Sequence, residues 1–417
     1  MVWRKQLYPD KENCKENNKK MKKLADLTLV INNYGTKLQS YALCKAIKSF
    51  GLVEPEVINL KGSWHGSTVK ISRKKQLLDV LKTYKLKSFK KIYDFVRFGY
   101  QYKQIRKNAD AFKGAVEKQN ELYLKFDENI PYSKEVYTLE DIRAGKLLPN
   151  YDMFIVGSDQ VWNGPRVGCL DVYMCDFMHQ KRGALSYAAS FAIDAIPENM
   201  REDYTKYIQN MDTLLVREER GVELCKRLGR DDAIHVVDPT MLLEGKDYEE
   251  LISKPVDLVG TDDFILVYSL TTSMKIYEEA NKLAEKYNCK MAMLKRGAHP
   301  PIASTFKNAI DLIEVGPSEF LSLIKYAKCV VTGSYHALMF SLLLHTDFYI
   351  YLDDANAENS RLISSLSMFG LEKQLYYETS SLPKALPHVD FDAVDTIVKE
   401  KREESLRLLR ESIERKM

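Results

Sequence analysis

The sequence predicts an α/β protein built from two Rossmann-like domains facing a cleft, with mostly parallel sheets. Three observations carry this. Strand-length apolar runs alternate with stretches of helical periodicity through both halves of the chain, the pattern of parallel strands joined by crossover helices. Several of these runs break into small polar residues, at Asn32 to Thr36, Gly157 to Asp159 and Thr332 to Ser334, where open α/β sheets present their binding loops. The length of 417 residues exceeds a single ordinary core and fits two.

The elements follow in order. Residues 1–22 read as a polar tail without an apolar stretch ahead of a small-residue cleavage site, so no secretory signal is expected. The first domain is expected over 23–245. Leu24 to Ile31 is a short β-like run that ends in a glycine loop, after which Leu38, Tyr41, Ala42, Ala46 and Ile47 recur at helical spacing. Residues 70–112 read as an inserted basic helical segment. Tyr151 to Val156, Arg182 to Phe191, Asp212 to Arg217 and Ile234 to Asp238 read as further strands, the last stopped by Pro239.

Lys246 to Asp263 has mixed polarity and no period, which suggests a linker. The second domain is expected over 264–390. Its strands are read at Phe264 to Leu270, Lys290 to Leu294, Asp311 to Val315, Cys329 to Val331 and Asp347 to Tyr351, with helices at Lys275 to Tyr287, Ser318 to Ala327 and His336 to Leu344. Phe391 to Met417 closes the chain as an amphipathic helix.

Composition narrows the function. Apolar residues at 45% with 29% charged are the balance of a globular protein, and no apolar run reaches membrane-spanning length. Seven cysteines without a CxxC pair or a Cys/His ligand spacing point to reduced core thiols, with neither a disulfide framework nor a metal site expected. The net charge of +4 is small and local: Lys70 to Lys107 holds thirteen Lys/Arg against Asp79 and Asp94. A solvated helix face accounts for that stretch, and a peripheral contact with anionic lipid is the sharper alternative. Nucleic acid is not an expected partner.

The stretch richest in chemistry is Val330 to Ser341. A buried strand ends in Thr332-Gly333-Ser334 and a helix begins near His336, which sets Ser334, Tyr335 and the imidazole at the mouth of a sheet with a ring nitrogen available for proton transfer. Capping of the helix is the plain alternative. Arg217, Arg361 and the Lys295-Arg296 pair follow or flank apolar runs, and each could turn its charge toward a phosphate or carboxylate or spend it in a surface salt bridge. The loop ends Asn33-Tyr34-Gly35 and Gly157-Ser158-Asp159 are the matching candidates in the first half.

Taken together, the segments Asn33 to Gln39 with Tyr41 to Leu43, Asp152 to Asn163, Tyr187 to Phe191, Val216 to Glu219, Val237 to Thr240, Thr332 to Leu342 and Asn359 to Arg361 resemble the polysaccharide pyruvyl transferases. The resemblance spans residues 25–375. It implies a glycosyltransferase-B-like fold, phosphoenolpyruvate as donor and co-substrate with no further cofactor, and a pyruvate ketal on a sugar of a cell-surface polysaccharide (capsule or exopolysaccharide) as product. It implies that Arg217 and His336 stand around the donor, His336 as general acid or base and Arg217 as anion clamp. Ser334, Tyr335, Arg361 and Arg296 are then expected at the donor, and Asn33, Gly35, Gly157, Ser158 and Asp159 at the sugar or lipid-linked glycan acceptor. The chain departs from the family pattern at Ser334, where some relatives carry arginine. A cytoplasmic enzyme is expected, at the inner face of the plasma membrane if the basic segment binds lipid. The alternatives are a nucleotide-sugar glycosyltransferase of the same architecture and a non-catalytic member of a polysaccharide assembly complex.

Overall fold

The computed structural model of the protein describes residues 21–62, 109–178, 183–270, 273–294, 302–352 and 360–417. The polar tail up to residue 20, most of the basic segment, Arg296 and Asn359 lie outside these residues. The chain forms two compact units. The first comprises Met1–Trp64, Phe126–Glu249 and Asp392–Met417, and the second His65–Lys125 and Glu250–Phe391.

The first unit is a seven-stranded sheet in the order β3-β2-β1-β4-β5-β6-β7. Its strands are β1 Lys22–Leu27, β2 Val53–Leu60, β3 Tyr132–Tyr137, β4 Met153–Val156, β5 Ala184–Ala189, β6 Met211–Val216 and β7 Ile234–His235, and every pairing is parallel. β4 and β5 are buried along their whole length, which is why they read in sequence as continuous apolar runs. The helices that matter for the site are α1 Tyr34–Ser49 and, further along, α3 Glu219–Arg227. The core packs Trp162, Phe191 and Tyr204 under the β4 and β5 ends, with Trp162 and Phe191 edge to face at 5.2 Å.

The second unit repeats the plan with six strands, again all parallel: β10-β9-β8-β11-β12-β13. They are β8 Phe264–Tyr268, β9 Lys290–Leu294, β10 Ala309–Leu312, β11 Cys329–Thr332, β12 Phe348–Leu352 and β13 Leu375–Tyr377. The helices are α2 Ala109–Asp127, which groups with this unit up to Lys125, then α4 Lys275–Lys286, α5 Pro317–Tyr326, α6 Tyr335–Leu343 and α7 Ser360–Met368. α8, Phe391–Glu414, returns to the first unit, where Ser405 Oγ accepts from Val237 N–H at 3.2 Å and Arg402 Nε donates to Met241 O at 2.8 Å.

The sheets are fully parallel among the described residues, and several element boundaries differ from the sequence reading. β1 ends at Leu27, so Thr28 to Ile31 is loop. The ladder at Ile234 stops after His235 because Pro239 and the Asp238 turn bend the chain away. β10 begins at Ala309 and ends at Leu312. Strands β2, β3 and β13 and helix α7 carried no clear signal: Pro55 interrupts β2, and only Ser133 and Tyr137 of β3 are buried. The six described cysteines are buried and free. No described helix is long and apolar enough to cross a membrane.

Candidate functional site

Each sheet reverses its strand order at one place, between β1 and β4 in the first unit and between β8 and β11 in the second. Crevices at the carboxyl ends of such strand pairs are where open α/β sheets bind ligands. The two places are built alike. β4 and β11 are both four-residue strands, and each is followed by Gly-Ser, at Gly157-Ser158 and Gly333-Ser334. This correspondence links two segments only six residues long, too short to stand out as a sequence repeat.

In the second unit, Thr332 Oγ1 donates to Tyr268 O at 2.6 Å and accepts from Ser334 N–H at 3.0 Å, so one hydroxyl ties the two strand ends together. Ser334 then caps α6, its Oγ accepting from Ala337 N–H at 3.4 Å. A Cβ on Gly333 would sit 3.1 Å from Tyr351 O, a close approach that favours glycine. Tyr335 and His336 therefore occupy the first turn of α6, both half-buried, with ring centroids 5.4 Å apart. The guanidinium of Arg361, on α7, lies over the Tyr335 ring at 5.9 Å. The structure thus brings together Ser334, Tyr335, His336 and Arg361, four of the expected donor residues. Hydroxyl, imidazole and guanidinium groups at a helix N-terminus suit an anion, since the helix end adds partial positive charge.

The first unit is different in character. Asn33 caps α1, its Oδ1 accepting from Thr36 N–H at 3.2 Å, and Gly35 is buried in the first turn. Asp159 has φ +76°, a left-handed conformation that aspartate tolerates better than most residues. That turn brings its Oδ2 onto Thr36 Oγ1 at 2.5 Å and its Oδ1 onto Gln160 N–H at 2.8 Å. A carboxylate therefore already sits at the positive end of α1.

From Asp159 a chain of hydrogen bonds runs across the sheet. Ser190 N–H donates to Asp159 O at 3.0 Å. Glu218 Oε1 accepts from Ser190 Oγ, Phe191 N–H and Ala192 N–H at 2.9, 2.9 and 3.1 Å. Next in sequence, Arg217 donates through Nη1 to Asp238 Oδ2 at 3.0 Å, and Ser158 Oγ donates to the same oxygen at 3.3 Å. Thr28 Oγ1 donates to Ser158 O at 2.9 Å, and Gln39 Nε2 of α1 donates to Thr28 Oγ1 at 3.1 Å. The chain closes on α1, where it began. Asp238 is further fixed by Thr240, whose N–H and Oγ1 reach Oδ1 at 3.0 and 2.9 Å.

This ring joins five of the short segments that carry the family resemblance into one buried polar frame. Arg217 is a member of it, with its side chain at 0% exposure. Its charge is engaged by Asp238, while Arg361 in the second unit is partly exposed and lies over the Tyr335 ring. Sequence reading gave Thr28, Gln39, Ser190, Glu218 and Asp238 no role in the site, although all but Thr28 lie in the segments that carry the family resemblance. Their signal was position, each within a few residues of a strand end or in the α1 turn.

One more group was missed. Asp26, on β1, is wholly buried, and neither of its oxygens makes a hydrogen bond of normal geometry. Burial pushes its carboxyl up to about 7, against a weaker opposing pull from the Gly157 N–H.

Two parallel α/β units, each with a polar strand-order reversal, place the protein in the glycosyltransferase-B-like fold class. The chain belongs to the polysaccharide pyruvyl transferase family, whose pattern matches residues 33–352. No curated protein matches it in sequence. Among solved structures, UDP-N-acetylglucosamine 2-epimerase from Rickettsia bellii is similar at a TM-score of 0.51 and 9% identity, covering 95% of this chain and 96% of that one. UDP-GlcNAc 2-epimerase from Methanocaldococcus jannaschii, solved with UDP-GlcNAc and UDP, gives a TM-score of 0.49 at 13% identity, with 91% and 99% covered. At such identities the likeness concerns the fold alone.

Proposed function

We propose that the protein transfers the pyruvyl group of phosphoenolpyruvate to a sugar of a cell-surface polysaccharide or its precursor, forming a pyruvate ketal. The observation that carries this reading is the grouping of Tyr335, His336 and Arg361 at the first turn of α6 in a chain of the pyruvyl transferase family.

The reaction needs a proton delivered to the methylene carbon, stabilisation of the cationic carbon beside it, and two sugar hydroxyls that attack in turn as phosphate leaves. One hydroxyl proton is matched by the proton placed on carbon, and the other leaves with phosphate or solvent. We assign His336 the proton transfer and Arg361, with the N-terminus of α6, the phosphate or carboxylate of the donor. Ser334 and Tyr335 shape that end of the site; Arg296, also expected at the donor, lies outside the described residues. No cofactor beyond the two substrates is required by this chemistry.

The acceptor is assigned to the first unit. Asp159 has already claimed the positive end of α1, so a neutral polyol fits that loop better than a second anion. Asn33 and Asp159 would meet sugar hydroxyls, with Gly35, Gly157 and Ser158 setting the shape of the loop. Arg217, expected as the anion clamp, is assigned to the frame that holds this wall. The reading places the enzyme in the cytoplasm, with a lipid contact through Lys70 to Lys107 where the acceptor is lipid-linked.

The test is phosphate release from phosphoenolpyruvate by the purified protein, offered UDP-sugars, free glycosides and lipid-linked glycans in turn. Acceptor-dependent release is expected. Consumption of a nucleotide sugar with no phosphoenolpyruvate turnover would replace this reading with a glycosyltransferase.

A further inference from the structure

The ring in the first unit converges on one side chain. Asp238 lies in the turn after β7, at 0% exposure, yet it holds residues at two other strand ends, after β4 and after β6. Its Oδ2 takes both Arg217 Nη1 and Ser158 Oγ, at 3.0 and 3.3 Å. Its Oδ1 takes both donors of Thr240, at 3.0 and 2.9 Å, which fixes the carboxylate plane. The turn itself is clamped from behind: Tyr187 Oη donates to Val237 O at 3.0 Å, and Val237 N–H donates to Ser405 Oγ at 3.2 Å. Asp238 therefore has little freedom, and what it holds inherits that rigidity.

The segment it holds is also anchored on either side of Ser158, by Gly157 N–H on Leu27 O at 3.1 Å and by Asp159 on Thr36 Oγ1 and Ser190 N–H, so the grip on Ser158 fixes its middle. Gly157 follows a strand of four residues, and Asp159 takes a left-handed backbone. The tethers that run to Ser158 are its Oγ on Asp238, Arg217 Nη1 at 3.5 Å, and Thr28 Oγ1 on its carbonyl. A hydrogen bond to a buried charged group is worth more than one to a neutral group, so the Ser158 hydroxyl is held chiefly by the Asp238–Arg217 pair.

We propose that Asp238 is a positioning residue: by gripping Ser158 and Arg217 together it sets the geometry of the Gly157–Asp159 loop that presents Asp159 to the acceptor. This rests on the assignment of that loop to the acceptor. Asp238 touches neither substrate and acts through Ser158.

Two readouts separate the proposal from the reading beneath it. The first is amide hydrogen exchange on the full-length protein without substrates. Ser158→Ala removes one hydroxyl, and Asp238→Asn weakens the whole grip. Each is expected to speed exchange at residues 157–160 by about tenfold or more, with β8 to β13 unchanged. The double variant is expected to match Asp238→Asn alone, because both act on one contact.

The second readout is kinetic, with phosphoenolpyruvate as donor and the acceptor that supports wild-type release. Ser158→Ala is expected to raise the acceptor KM about tenfold and to leave the phosphoenolpyruvate KM within about twofold. Unchanged exchange at 157–160, or additive effects in the double variant, would overturn the proposal. An equal rise in both KM values would do the same, since it marks general loosening. Faster exchange in a protein whose wild type never turns over phosphoenolpyruvate would leave the positioning role standing and remove the function beneath it.

Discussion

Gly157 lies hard against the carboxyl of Asp26. A Cβ on residue 157 would overlap Asp26 Oδ1, and would lie 3.1 Å from its Cγ and 3.2 Å from Thr28 Cβ. The close approach follows from the register of β1 with β4, in which Asp26 pairs with Ile155 and Leu27 with Val156. The glycine is thus required by its neighbours' side chains, whatever a ligand needs there.

Gly157→Ala is accordingly expected to destabilise the first unit by about 1–3 kcal/mol, the usual cost of overpacking a core. Adding Asp26→Ala should recover part of that loss, since it removes the atoms in the way. Urea midpoints of the two single variants and the double variant decide it. Additive losses would show that the strain lies elsewhere.

Asp26 also makes stability depend on pH. Its folded-state value of about 7 stands above the ordinary 3.8, so between those limits the folded protein holds a proton that the unfolded chain has released. Stability is then greatest below about pH 4 as far as this group is concerned. It declines as pH rises toward 7, by on the order of 4 kcal/mol at most. Asp26→Asn, which carries no charge to bury, should match the wild type near pH 4 and exceed it at pH 8. An equal difference between the two proteins at both pH values would refute the assignment.

His336→Ala should lower phosphate release from phosphoenolpyruvate by about 10²- to 10⁴-fold, the range for loss of a positioned proton-transfer group. The side chain is half-buried and the α6 cap is supplied by Ser334, so the melting temperature should hardly move. Near wild-type turnover at saturating donor would take His336 out of the chemistry.

Arg361→Ala should raise the phosphoenolpyruvate KM by about tenfold or more, because a charge-assisted contact to the anion is lost. Arg361→Lys should restore only part of the affinity, since lysine keeps the charge over the Tyr335 ring but lacks the guanidinium's planar fork of donors. The same measurement on Arg217→Lys should show mainly a fall in thermal stability, from a broken buried pair with Asp238. A change confined to the donor KM in Arg217→Lys would return the clamp role to that residue.

How far the site was legible from residues differs between the two units. In the second unit the relevant chemistry is local: β11, Gly333-Ser334 and the start of α6 are contiguous, so His336 at a helix N-terminus could be read directly. Arg361 was read as a candidate cation, but its place over Tyr335 required a fold, because α7 had no clear pattern and reaches that ring across 26 residues of chain. In the first unit Asn33 and the Gly157–Asp159 loop stood out as turn chemistry, but the partners that define their roles lie far away in sequence, with Asp159 on Thr36 and Ser158 on Asp238.

The sequence by itself determined the alternation of strands and helices, the class of fold, the family and the loops at the strand ends, because periodicity, turn residues and short motifs are properties of neighbouring residues. Tertiary structure alone decided which of those loops meet. Strand order and register bring Asp26 under Gly157 and Arg217 onto Asp238. A charge spent on a distant carboxylate cannot be told, in sequence, from one offered to a ligand. That is why only the fold shows Arg217 against Asp238 and Arg361 over the Tyr335 ring.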